Sequence, residues 1–187
     1  MIVAEPKIHR WTRTEFQQML DLGWFLDQRA ELVEGEFLEL PALKNAHAVS
    51  LKLTEDALDR AFGNGFWVRS QLPLALNDLS EPLPDLAVVP GKPRDYSEHP
   101  STAQLVVEIS DSTLSYDRRQ KQSLYAMSGL PEYWIVNLVD RQVEVYRTPT
   151  VDSAWPYGWH YADRAVFDSS SQVAIANVAI EVVDLLP

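Results

Sequence analysis

The sequence predicts an α/β (α+β) fold in which short apolar strands are enclosed by amphipathic helices. Two runs carry that prediction, Pro84-Asp85-Leu86-Ala87-Val88-Val89 and Leu105-Val106-Val107-Glu108-Ile109-Ser110. Both are short, apolar and rich in β-branched residues, the pattern of buried strands. The third observation is helical spacing on either side of them: Ala48, Leu51, Leu53, Ala57, Leu58 and Ala61 before, and the stretch from Ser115 to Ser128 after. At 187 residues, with 46% hydrophobic and 23% charged content, the chain is expected to be one globular domain over residues 1–187.

From the N-terminus, Trp11-Thr12-Arg13-Thr14-Glu15-Phe16 opens a helix. Thr12 or Thr14 can cap it, and Phe16, Met19 and Leu20 form an apolar stripe that ends by Gly23. Ala30 to Leu40 reads as a hairpin turning at Glu34-Gly35 and stopped by Pro41. Its glutamates, Glu31, Glu34, Glu36 and Glu39, read one by one as a solvated strand face. Asn45 or Ser50 starts the next helix, Gly63-Asn64-Gly65 ends it, and His47 lies near its start. Phe66 to Leu76 reads as a strand, Asn77 to Glu81 as a turn, and Pro84 to Val89 as the next strand. Pro90 to Pro100 is a polar loop whose basic residues either face a phosphate backbone or sit in solvent.

Gln104 to Ser110 is the central strand, followed by a turn at Asp111-Ser112-Thr113 and a helix from Ser115 to Ser128 that Gly129 and Pro131 close. Glu132 to Leu138 is a strand that turns at Asp140-Arg141 into Val143-Glu144-Val145-Tyr146. Pro149 to Ser171 is loop-like. Within it Trp155, Tyr157, Trp159 and Tyr161 recur every second residue, the spacing of an edge strand with one aromatic face, which reads as a dimer contact, a nucleobase platform or, the preferred reading, a lid on the core. Val173 to Leu186 closes the chain as an apolar, strand-like run.

The absence of cysteine excludes disulfides and thiolate metal sites and fits a reducing compartment. The stretch Met1-Ile2-Val3-Ala4-Glu5-Pro6-Lys7 lacks the apolar run of a signal peptide, and no stretch reaches membrane-spanning length. The expected location is cytoplasmic, with no membrane partner. A net charge of −11 argues against general adhesion to nucleic acid or anionic membrane. It leaves room for an acidic metal site beside a local basic patch.

Asp85 opens the first apolar strand and Glu108 sits inside the second. An ionised carboxylate in apolar surroundings is very unfavourable unless a cation or charged partner compensates it. Two adjacent strands that each present one carboxylate suit a hard cation, since Mg²⁺ takes one or two carboxylates plus waters and substrate phosphates. On the following helix Asp117, Lys121, Leu124, Tyr125 and Ser128 share one stripe. Leu124 and Tyr125 turn that stripe to the sheet and tip Lys121 towards the carboxylate strands. Read alone, Asp117 and Lys121 are a plain surface pair worth about 0.3–0.5 kcal/mol.

Taken in order, these residues resemble the PD-(D/E)xK nuclease superfamily and, more closely, the Uma-type putative restriction endonuclease family. The family's hairpin motif is matched by Glu31-Leu32-Val33-Glu34-Gly35-Glu36, its helix-start histidine by His47, and its proline-aspartate strand by Pro84-Asp85. Val106-Val107-Glu108-Ile109-Ser110 matches the next strand, Asp117, Lys121 and Tyr125 the helix, and Glu132-Tyr133-Trp134 the strand after it. The resemblance runs from about Trp11 to Tyr146. One departure is that the superfamily's lysine lies two residues after the glutamate, where this chain has Ser110. In the family the lysine lies on the following helix, and Lys121 is the matching position.

The resemblance implies a restriction-endonuclease-like core, a mixed central sheet flanked by helices, with the N-terminal helix and hairpin as an extension. It implies a Mg²⁺-dependent endonuclease that hydrolyses a DNA phosphodiester. In that reading Asp85 and Glu108 hold Mg²⁺ or Mn²⁺. Lys121 orients or deprotonates the attacking water, or neutralises charge developing on the phosphate. Glu31, Glu34, His47, Gln71 and Tyr125 are supporting residues. DNA is the expected partner, and a homodimer the expected assembly, because two sites cut two strands most simply. A reading of another class is a nuclease fold turned binding or assembly module with little catalysis, which the charge of −11 favours. A third is metal-dependent hydrolysis of some other phosphate ester.

Overall fold

The computed structural model describes residues 6–25 and 28–187; residues 1–5, part of the stretch without a signal-peptide run, lie outside the described residues. The first helix, α1 (Arg13–Asp21), is capped by Thr12 rather than Thr14: its hydroxyl accepts the Glu15 N–H, and the Glu15 carboxylate accepts the Thr12 N–H. Phe16 and Met19 are buried, whereas Leu20 points outward. The hairpin follows as β1 (Ala30–Val33) and β2 (Glu36–Glu39), with Glu34 and Gly35 both at positive φ, the geometry of a two-residue turn. A side chain on Gly35 would meet Arg10 Cβ at 2.6 Å, so the turn admits only glycine there. Helix α2 (Asn45–Phe62) starts at Asn45; Ser50 lies inside it, its hydroxyl donating to the Leu185 carbonyl at 2.6 Å.

A six-stranded sheet is built from β3 (Phe66–Ser70), β4 (Leu86–Pro90), β5 (Leu105–Ser110), β6 (Glu132–Asn137), β7 (Gln142–Val151) and β8 (Trp159–Asp168), in that spatial order. Only β5 and β6 pair in parallel; the other neighbours are antiparallel. The parallel pair needs a crossover. It is made by a helical segment of three parts: α3 (Leu114–Tyr116), a π-helical turn over Asp117–Lys121, and α4 (Gln122–Met127).

Period-two alternation divides the strands between two cores. Leu86, Val88, Leu105, Val107, Ile109, Trp134 and Val136 face α2. Ala87, Val89, Val106, Tyr133 and Ile135 face α4, where Leu124 and Tyr125 pack.

Three sequence expectations are corrected. The strand expected over Phe66 to Leu76 stops at Ser70, because Gln71 has φ 51° and Pro73 offers no N–H to a ladder. The segment from Pro149 to Ser171 is largely sheet: β7 runs on to Val151, and β8 supplies ten more residues. Three of its aromatics lie over the core, Tyr161 buried and Tyr157 and Trp159 packed beside it, whereas Trp155 stacks on His160. The C-terminal run is a hairpin, β9 (Gln172–Ile175) and β10 (Val178–Glu181), followed by a 3₁₀ turn over Val182–Leu185. No helix among the described residues is long and apolar enough to cross a membrane.

Candidate active site

Strand register brings the two carboxylates together. Leu86 pairs with Val107 across β4 and β5, so Asp85, one residue before β4, falls opposite Glu108. Asp85 shares the facing of Ala87 and Val89, and Glu108 that of Val106, so both turn to the α4 side of the sheet. Each carboxylate accepts a main-chain N–H at or beside the other residue. Asp85 Oδ2 accepts the Ile109 N–H at 2.8 Å, and Glu108 Oε2 accepts the Asp85 N–H at 3.3 Å. Asp85 Oδ1 also lies 3.0 Å from His47 Nε2 and accepts from the Gln71 amide at 3.3 Å.

Lys121 reaches this pair from the helical segment. Its Nζ donates to Glu108 Oε1 at 3.2 Å and to Glu31 Oε2 at 2.6 Å. The Tyr125 hydroxyl donates to the same Glu108 oxygen at 2.6 Å. The π turn between α3 and α4 sets this geometry: the Gln122 N–H reaches back five residues to the Asp117 carbonyl, and the widened turn leaves Asp117 and Lys121 both buried. The surface-pair reading of Asp117 and Lys121 is therefore corrected. Asp117 instead accepts from the Ser110 and Thr113 hydroxyls at 2.7 and 2.6 Å.

Glu31 overturns the solvated reading of its strand. It is 0% exposed, and its Oε2 accepts from the Leu83 N–H as well as from Lys121. Its other oxygen, Oε1, is buried with no partner. Glu36 and Glu39 are exposed as expected. Glu34 is not brought to the cluster: its Oε1 accepts from Asn77 and Ser80 and fixes the turn beside the hairpin. Lys92 and Arg94 of the polar loop are exposed.

The electrostatics follow from this crowding. Burial pushes the Glu108 carboxyl up to about 8; Lys121 and Tyr125 pull it down, while Asp85 and Asp117 add to the rise. Burial works against the Lys121 ammonium, but Glu108 and Glu31 outweigh it and hold its pKa above the usual lysine value. Burial raises Asp117, with its two hydroxyl donors opposing.

The cluster opens on a cleft of about 80 Å³, room for several waters at roughly 10–15 Å³ each. His47, Asp85, Glu108, Asp117 and Lys121 line it, together with Arg29, Lys44 and Tyr116, which sequence reasoning did not single out. Lys44 pairs with Asp111 at 3.0 Å at the mouth. The Tyr116 hydroxyl is buried without a partner. Tyr116 lies five residues before Lys121, a spacing that shares a face only across a π turn, so a search at three and four residues passes it by. Arg29 and Lys44 carry no local signal.

The Uma2 family, described as a putative restriction endonuclease, matches residues 14–176 of this chain. The solved structure of a putative nuclease belonging to DUF820 from Anabaena variabilis ATCC 29413 superposes with a TM-score of 0.68. It is 15% identical in sequence, and the match covers 93% of this chain and 96% of that one. At that identity the likeness is one of fold: a central mixed sheet of six strands flanked by helices. None of the curated proteins matches the chain.

Proposed function

The chain belongs to the Uma2 family of putative restriction endonucleases, and on that premise we propose that it is a divalent-metal-dependent endonuclease that hydrolyses a DNA phosphodiester. The observation that carries the proposal is the meeting of Asp85, Glu108 and Lys121 at one cleft.

The donor set suits Mg²⁺ or Mn²⁺. Glu31, Asp85, Glu108 and Asp117 are all buried around a single lysine, which leaves an excess of hard oxygen donors and negative charge. Among the described residues no group of three or more His, Cys, Asp or Glu stands ready to enclose an ion. Mg²⁺ needs only one or two carboxylates and keeps its waters, so Asp85 and Glu108 suffice as its protein ligands. Asp85 and Glu108 would hold the metal, which when bound polarises the scissile phosphate and lowers the pKa of a water.

The remaining work falls to the chain. The Ile109 N–H, Gln71 and His47 fix both oxygens of Asp85 before substrate arrives. Tyr125 does the same for one oxygen of Glu108. Lys121, held cationic by Glu108 and Glu31, is a poor proton acceptor. This favours orienting the attacking water and offsetting charge on the phosphate over proton abstraction. A homodimer belongs to the same proposal, since one site cuts one strand.

The test is cleavage of supercoiled plasmid in Mg²⁺ and in Mn²⁺ by wild type, Asp85→Asn, Glu108→Gln and the exposed-site control Arg119→Ala. Metal-dependent cutting should vanish in the first two variants and persist in the third. No cutting by wild type with either metal would favour the binding or assembly module, a reading that the net charge of −11 also supports.

A further inference from the structure

On the same face of the sheet, away from the carboxylate cleft, Arg69 of β3 is 2% exposed and pairs with no carboxylate among the described residues. Its guanidinium lies 4.8 Å from the centre of the Trp67 ring and donates through Nη2 to the Pro73 carbonyl at 3.0 Å and to His99 Nδ1 at 3.2 Å. Nε is buried with no partner. Every other buried lysine or glutamate named above has an opposite charge or a full set of polar neighbours, and a buried charge without a counter-ion is costly. Burial accordingly pulls the Arg69 pKa below the usual guanidinium value.

Arg69 lines a cavity of about 470 Å³ with Arg13, Gln17, Trp67, Ser97 and His99. Glu81 is also there, but Arg13 at 3.7 Å and the Gln17 amide occupy it, so that pair of charges cancels. Glu98 lies on the exposed rim. What remains is one uncompensated cation among several donors. His99 accepts from Arg69 at Nδ1, so its neutral ring carries the proton on Nε2 and adds a donor.

We propose that this cavity is a non-catalytic site for a phosphate group, with Arg69 as its counter-ion. A tetrahedral oxyanion presents several acceptors at once, which matches a guanidinium whose Nε and Nη1 have no acceptor among the described residues, beside the Ser97 hydroxyl and the His99 imidazole. The phosphate comes from a nucleic-acid strand or from free phosphate. The strand source rests on the nuclease reading. Gln71, which donates to Asp85, is only two residues from Arg69. That is at most about 7 Å of chain, and phosphates recur every ~3.4 Å of helix axis along one strand.

The test is binding in EDTA, followed by melting temperature and titration calorimetry. Sodium phosphate is compared with chloride at matched ionic strength, and a short single-stranded DNA is compared with and without a 5′-phosphate. Wild type should gain melting temperature with phosphate, and Asp85→Asn should keep the gain. Arg69→Met should lose it, and Arg69→Lys should bind about tenfold or more weakly, since a point charge cannot replace the fork. If Arg69→Met does not fold, the lysine variant carries the comparison. DNA affinity that falls in step with phosphate affinity assigns the site to a strand phosphate; a response confined to free phosphate assigns it to that ion. Equal gains in wild type and both Arg69 variants, or no gain with any probe in wild type, overturn the proposal. Absence of cleavage would overturn the nuclease reading and leave these binding outcomes in force.

Discussion

Lys121→Met removes the positive charge at the centre of the buried cluster while keeping the length of the side chain. Lys121 is 3% exposed, and its partners Glu31 and Glu108 are 0% and 6% exposed. Breaking a buried pair by deleting one partner typically costs 3–5 kcal/mol, because the other charge is left uncompensated. An exposed pair would cost about 0–1 kcal/mol. At about 2–4 °C per kcal/mol for a chain of this size, the melting temperature at pH 7 should fall by about 6–20 °C. The deficit should be nearly constant from pH 7 downward and widen as pH rises through about 8, where Glu108 ionises in wild type but holds its proton to higher pH once Lys121 is gone. Mg²⁺ should stabilise the variant more than it stabilises wild type, by restoring positive charge between the carboxylates. Adding Glu31→Gln should recover part of the loss, the sign of a shared partner. Urea and thermal unfolding at pH 7 and pH 9, with and without Mg²⁺, measure all of this. A cost within about 0.5 kcal/mol at pH 7 would refute the reasoning, since it would make the cluster no stronger than a surface pair.

Asp85→Asn should abolish most of the melting-temperature gain that wild type shows with Mn²⁺ or Mg²⁺; an equal gain in both proteins would place the ion elsewhere. Tyr125→Phe removes the hydroxyl that donates to Glu108 Oε1. It should cost about 1–3 kcal/mol in urea unfolding by leaving that oxygen short of a partner, and no change would mean that Lys121 alone satisfies it. Two strands over from Glu108 in the same cross-strand row, burial works against the charge of Glu144, but Arg118, Tyr146, Asn137 and Arg164 hold it down at about 2. Its folded value lies below the unfolded one, so its contribution is present above pH ~4.5 and is lost as pH falls towards 2. Allowing for screening by the half-exposed arginines, that contribution is about 2 kcal/mol. Acid unfolding of wild type and Glu144→Gln should differ by this limb, and coincident curves would show that the network contributes nothing.

The central strands were legible because burial on both faces leaves a continuous apolar run, as in Ala87-Val88-Val89 and Leu105-Val106-Val107. The strand over Trp159–Asp168 was legible only at its start, where Trp159 and Tyr161 alternate. It is an edge strand whose Ala162, Asp163 and Arg164 face solvent. It also follows Pro156 and Gly158, which read locally as a turn. Its existence is decided by nine residue pairs with β7, a non-local cause that composition does not display. The early end of β3 has the opposite origin: a single positive φ at Gln71 and a proline two residues later override an apolar pattern that runs on to Leu76.

Asp85 and Glu108 stood out for the same reason that the strands did, because each breaks an apolar pattern. Glu31 obeys a polar alternation, and nothing in Ala30-Glu31-Leu32-Val33 distinguishes a solvated glutamate from a buried one. The difference is made by Lys121, 90 residues further along. That contact ties the hairpin to the helical crossover, in addition to its bonds with the loop before β4, among them the bridge between Leu32 and Glu81. The lysine's charge is balanced by one carboxylate from the hairpin and one from β5. A change in the charge on Glu108 should therefore alter how firmly Lys121 binds Glu31, since both carboxylates draw on the same ammonium.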